Sequence, residues 1–152
     1  MGAIIKIFED FCEDSFALLG IHSSLEDYAL VYALNQELRI HLRRLKNDLD
    51  TSPRISYPIF EWRDELYERN WTLLTNSCST EEKSGLNDLF PNEPSYSLHH
   101  LVPEYKDADY LLKIDEKGME SDILKNIMAI PNVIAAYTIE TDRLKSKPNL
   151  IF

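Results

Sequence analysis

The sequence predicts an α+β fold, and three observations carry that prediction. A short apolar run at Phe16–His22 precedes a segment with helical spacing. The middle of the chain, from Ile55 to Cys78, alternates in the manner of strands. The last third sets a strand, a helix and a strand in succession between Tyr110 and Ile139. A chain of 152 residues, 44% apolar and 11% aromatic, buries roughly two-thirds of its unfolded surface, so residues 1–152 read as one domain.

Phe16-Ala-Leu-Leu-Gly-Ile-His22 has the length and the polar stop of a buried strand. Gly20 inside it marks either a bulge or a close backbone approach. The stretch Ile4–Phe11 before it is acidic and amphipathic, an extra strand or a lead-in. Ser23 with Glu26, or Ser24 with Asp27, has the spacing of a capping box. Leu25, Tyr28, Ala29 and Tyr32 then line one helical face, and leucines continue at spacings of three and four through Leu34, Leu38, Leu42 and Leu45. The expected helix runs to about Lys46. A competing reading leaves it near Arg39, because Leu38-Arg-Ile-His-Leu-Arg alternates strictly.

Ile55, Tyr57 and Ile59 form a strand that Pro58 places at an edge or a bulge. Arg63–Asn70 connects it to a returning strand at Trp71–Cys78. Ser79–Leu98, with Gly85, Pro91 and Pro94, reads as a long loop holding one helical turn at Glu81–Leu89. Tyr110–Ile114 is a strand and Asp115–Gly118 a turn. Met119, Ile123, Ile127 and Ile130 mark a helical face that Pro131-Asn132 ends. Val133–Ile139 is the last strand. A strand–helix–strand unit of this length implies two parallel strands joined by a crossover. The order β-α-β-β-β-α-β then gives an antiparallel or mixed sheet with two helices on one face, a ferredoxin-like plait with an added strand.

Charge and composition exclude several classes of function. With 16 Lys+Arg against 26 Asp+Glu the net charge is −10, which repels phosphate backbones and argues against nucleic-acid binding. No apolar run approaches the roughly 20 residues of a membrane span, and Glu9 and Asp10 interrupt any leader core, so a cytoplasmic setting is expected. Cys12 and Cys78 are too few and too far apart for a zinc knuckle or a redox pair, and read as free thiols. There is no Gly-rich phosphate loop and no Gly-x-Ser-x-Gly elbow. No cofactor is expected.

Leu101-Val-Pro-Glu-Tyr-Lys-Asp-Ala-Asp-Tyr-Leu-Leu112 resembles the signature of the IPExxxVDY family, bacterial proteins known mainly from Bacteroidetes. Pro103, Glu104, Asp109 and Tyr110 match the named letters and their spacing; Val102 and Ala108 stand where the signature has Ile and Val. Phe16–Tyr28 and Leu34-Asn35 are similar to the family's first strand and helix start. The resemblance implies a bacterial, cytoplasmic protein. It implies no activity.

The signature residues Pro103, Glu104, Asp109 and Tyr110 are the first candidate site. A carboxylate before a strand can act as a base or bind a cation. It can equally cap loop donors while Pro103 fixes the strand entry and Tyr110 packs inward. Arg39, Arg43, Arg44 and Lys46, with His41, form the only basic concentration. They suit either a helix C-terminus or an anionic partner, and Arg143, Lys145 and Lys147 are candidates to join them. His99 and His100 alternate on an extended chain and so do not converge on one ion; no metal is expected. Asn35, polar in an apolar stretch, reads as a loop anchor. Tyr57, Trp62, Trp71 and Tyr96 line either a core or an interface. The resulting expectation is a non-catalytic interaction or scaffolding module, a homo-oligomer or a partner of another protein. The alternative is a small-ligand regulatory domain of ACT-like type.

Overall fold

The computed structural model describes residues 16–82 and 95–152. The expectations for Ile4–Phe11 and Cys12, and most of the turn expected at Glu81–Leu89, lie outside them. The fold is α+β. A six-stranded sheet has the order β10-β1-β9-β6-β5-β2, built from Val133–Ile139, Ala17–Ser23, Tyr110–Ile114, Arg69–Thr75, Ile59–Asp64 and Arg43–Arg44. Every neighbouring pair is antiparallel. Strands β9 and β10 therefore run parallel to each other with β1 between them, and β1 and β6 do the same around β9. Helix α1 spans Asp27–Leu38 and α2 spans Glu120–Met128. The block β10-β1-β9-β6 with its two helices is the plait order, and β5 and β2 extend it on one side.

Both faces of the sheet are covered, which explains why β1 and β9 are near-continuous apolar runs rather than alternating ones. On one face Leu19, Ile21, Leu73 and Leu112 meet Leu30 and Leu34 of α1 and Ile123 and Ile127 of α2. On the other, Leu18, Leu74, Leu111 and Ile139 pack under Leu101, Val102, Leu144 and Leu150 from the loop before β9 and the C-terminal segment. Neither segment is a regular layer, so periodicity gives no sign of this second core.

Four expectations need correction, three of them at α1. Helix α1 ends at Leu38, not near Lys46. Arg39 takes a left-handed conformation (φ 55°), and beyond it Ile40 and Leu42 are buried with His41 exposed between them, the alternation of an extended chain. The basic residues consequently do not sit at a helix C-terminus. The buried face of α1 is also the aliphatic one, Leu30, Val31 and Leu34, whereas Tyr28 and Tyr32 are 67% and 66% exposed. The tyrosines lie two positions out of phase with Leu30 and Leu34, hence on the opposite side, where their hydroxyls reach water and Gln36 donates to Tyr32 Oη at 3.0 Å. No capping box forms. Ser23 Oγ accepts the Leu25 N–H at 3.1 Å and donates to the Asn132 carbonyl at 2.9 Å, so the hydroxyl is occupied elsewhere.

The expected loop Ser79–Leu98 contains a two-stranded ribbon instead. Strand β7 (Ser77–Glu82) pairs with β8 (Ser95–His100), from Ser77 opposite His100 to Glu82 opposite Ser95. A second ribbon, β3 (Leu49–Ser52) with β4 (Ile55–Tyr57), precedes Pro58, which separates β4 from β5. Tyr57 and Trp71 are buried core residues, so of the four aromatic candidates only Trp62 and Tyr96 reach the surface. Gly20 marks a close approach. A Cβ there would lie 2.9 Å from Cε2 of Tyr137 across the β1–β10 pair.

Candidate functional site

The signature loop and the basic cluster occupy different parts of the sheet. Pro103–Tyr105 form one turn of 3-10 helix with the proline at its start, where its missing N–H costs nothing. Glu104 Oε2 accepts from the Ser146 N–H at 3.3 Å and hydroxyl at 3.2 Å, tying the loop to the C-terminal segment. Partial burial opposes ionisation of the Glu104 carboxyl, but the Ser146 hydroxyl and N–H, with backbone donors of Glu104 and Lys145, outweigh it and hold the group below its ordinary value.

Asp109 and Tyr110 reach the other way. Asp109 Oδ2 accepts the Ser23 N–H at 2.9 Å, and the Tyr110 hydroxyl donates to the Leu25 carbonyl at 2.5 Å. Together they bolt β9 to the junction between β1 and α1. Burial, then the negative charges of Asp27, Asp109 and Glu26, pushes the Tyr110 phenol up to about 12, so it is a hydrogen-bond donor at neutral pH. The hydrogen bonds of Glu104, Asp109 and Tyr110 thus run to the backbone or to Ser146.

The residue that organises this loop is Asn76, which nothing in the sequence singles out. It is completely buried. Its Nδ2 donates to the Tyr105 and Ala108 carbonyls, each at 2.9 Å, and its Oδ1 accepts the Val102 N–H at 2.8 Å. Its own N–H donates to the Asp109 carbonyl at 3.0 Å, and its carbonyl accepts from Leu101 at 2.8 Å. A polar break between two strands, Thr75-Asn76-Ser77, is the only signal it leaves. Lys113 has a comparable role for the C-terminal segment: Nζ donates to the Leu150 carbonyl at 2.7 Å and lies 4.7 Å from the Phe16 ring centroid and 4.6 Å from that of Phe152.

The basic cluster lies at the β2 edge. Asn35 explains why. Its Oδ1 accepts the Leu42 N–H at 2.9 Å and its Nδ2 donates to the Leu42 carbonyl at 3.2 Å, making it the loop anchor its position suggests. Leu42 is thereby drawn away from β5, and the ladder stops at Arg43 opposite Glu61. The Leu45 N–H donates to the Ile59 carbonyl at 3.0 Å, so Ile59, Glu61 and, by the alternation of an antiparallel ladder, Arg63 turn their backbone groups to this outer side.

Beside that edge is a groove of about 750 Å³ lined by Arg43, Arg44, Leu45 and Lys46 on one side and Glu61–Leu66 on the other. Half-buried Trp62 lies in it, backed by Trp71 at 6.4 Å and met edge-on by His41 at 5.6 Å between ring centroids. Leu66 is 81% exposed at its rim. Arg44 is committed locally: it pairs with Asp48, and its guanidinium sits 5.7 Å from the Phe60 ring centroid. Asp64 is committed to Arg69, 3.4 Å away, and to the N–H groups of Leu66 and Tyr67. That leaves the charges of Arg43, Lys46 and Arg63 facing those of Glu61 and Glu65, with no ion pair among these five. Arg39, at the end of α1, is not a wall of the groove. Arg143 lies against Glu104, Tyr105, Thr138 and Glu140, and none of Arg143, Lys145 and Lys147 joins the β2 cluster.

His99 Nε2 is 3.0 Å from Thr80 Oγ1 on the ribbon, and the described residues contain no cluster of three metal-ligating side chains. No helix among them is long and apolar enough to cross a membrane. In comparisons with known proteins, no family model matches the chain, and no curated protein or solved structure is significantly similar to it.

Proposed function

We propose that the protein is a non-catalytic cytoplasmic interaction module that docks an acidic, extended segment of a protein partner in the groove along the β2–β5 edge. The observation that carries this reading is the groove itself. It combines the outward-facing backbone of Arg63 beyond the end of β2, an aromatic floor at Trp62, exposed leucines, and three cations that make no ion pair among the described residues, on a chain whose net charge is −10. An extended segment lying there finds main-chain partners at Arg63 and takes most of its affinity and selectivity from the flanking side chains. Glu61 and Glu65 on the same walls restrict the partner to one whose carboxylates fall opposite Arg43, Lys46 and Arg63. The likeness of Leu101–Leu112 to the IPExxxVDY signature supports a bacterial member of that family, with the signature serving to hold the sheet.

Titration calorimetry of the intact protein with a peptide of alternating glutamate and leucine tests the proposal, with a lysine–leucine peptide as control. The acidic peptide binds, more weakly as salt rises. Arg43→Glu with Arg63→Glu, both on exposed side chains, removes binding without loss of fold. Equal binding of both peptides, or indifference to the double substitution, contradicts it.

The plait order with both helices on one face favours a second reading, a small-ligand regulatory domain of ACT-like type, and the groove volume lies within the range of ligand sites. On that reading millimolar amino acids or nucleotides raise the melting temperature. No shift with any of them removes it.

A further inference from the structure

The opposite end of the sheet carries a different kind of surface. Strand β10 pairs with β1 alone among the described strands, so one side of a seven-residue strand is open. We propose that β10 pairs antiparallel with β10 of a second copy about a two-fold axis through Ala136. The two sheets then join into one of twelve strands, with a groove at each far end.

The composition of the edge supports self-pairing. Val133-Ile-Ala-Ala-Tyr-Thr-Ile139 contains no charge, proline or glycine, the residues by which proteins commonly blunt an edge. The other edge is two residues long and both are arginine. A second copy adding its β10 there would find little backbone to pair with, so growth into a fibre is blocked and the association closes at two.

The register follows from the sequence. Centring the pair on Ala136 uses Ile134–Thr138 of each strand, short of the bulge that sets Val133 opposite Ser23. Ala136 packs towards the helices and Tyr137 and Ile139 towards the other face, so Ile134, Ala136 and Thr138 share the helix side. Across the axis Ile134 then faces Thr138 of the second copy, and Ala136 faces its own equivalent. The pair of alanines lets the two backbones approach without steric conflict, and Ile134, 73% exposed in the single chain, becomes covered.

Charge sets a signature that separates this association from peptide docking. Two copies each carrying −10 repel, while the paired strands are uncharged, so dimerisation strengthens as salt rises. Docking in the groove weakens under the same change. The dimer does not depend on the groove, and either proposal stands if the other fails.

Sedimentation velocity on the intact protein, over about a hundredfold range of concentration and at two salt concentrations, reads the outcome. The expected result is a monomer–dimer equilibrium favoured by salt. Ile134→Lys with Thr138→Lys sets like charges opposite each other twice and raises the dissociation constant at least about tenfold. Ile134→Lys with Thr138→Glu sets opposite charges in the same places and keeps the dimer. Circular dichroism of both variants matches the parent, because both positions are exposed. Monomer at every concentration, a dimer indifferent to the paired lysines, or one that the lysine–glutamate combination does not keep overturns the proposal.

Discussion

Asn76 carries more of the fold than any residue the sequence brings forward. Its side chain and backbone hold both sides of the Leu101–Asp109 loop, and alanine there leaves the Ala108 carbonyl and the Val102 N–H unpartnered, while the Tyr105 carbonyl keeps the Ala108 N–H. Asn76→Ala should therefore cost about 3 kcal/mol or more in urea unfolding, a large share of a small domain's stability. Tyr110→Phe removes one buried hydrogen bond and should cost about 1 kcal/mol. Because the Tyr110 pKa is raised, the folded state favours the neutral phenol. Its contribution is present below the ordinary value of 10 and lost as pH rises towards about 12, a loss the phenylalanine variant should lack. Glu104 has the opposite sign. Its carboxyl is held below 4.5, so its contribution is present above that value and lost as pH falls through the lower folded value. Hydrogen exchange at Ser146 should accelerate there. The signature was visible through a resemblance, but its partners Ser146, Ser23 and Leu25 are far away in the chain, and no spacing rule links them.

Elements with one dominant period were legible; those set by tertiary contacts were not. Strands β9 and β10 coincide with the apolar runs Tyr110–Ile114 and Val133–Ile139, and Ile123, Ile127 and Ile130 turn inward as their spacing requires. The end of α1 depends on Asn35 holding Leu42, a contact seven residues apart whose outcome helical leucine spacing does not reveal. Asn35→Ala should cost about 1–2 kcal/mol and weaken docking in the groove, because β2 loses the anchor that positions Arg43. The β7–β8 ribbon leaves a weak pattern because β7 is polar apart from Cys78 and the one apolar alternation in β8, Tyr96 and Leu98, is short and exposed. At Gly20, alanine would press a methyl group into the Tyr137 ring. Gly20→Ala should destabilise the protein by about 1–3 kcal/mol and disturb the His22–Tyr137 hydrogen bond of 2.9 Å.

At the scale of the molecule, the sheet is closed above and below and open at its two ends. Helices seal one face, and the signature loop with the C-terminal segment seals the other. Glu104, Asp109, Tyr110 and Lys113 serve that sealing, while the surfaces left for association are a basic, aromatic edge and an uncharged one. Hydrophobic patterning foretold the α+β class. It did not foretell which edge would carry which chemistry, because that depends on strand order. We propose that these two ends are where the protein acts on other chains, and hydrogen exchange of the intact protein is the sharpest test. The Arg63 amide should slow when the acidic peptide is added, and the outward-facing amides of Val133–Ile139 should slow as the protein is concentrated. Exchange at both edges that ignores peptide and concentration alike would contradict it.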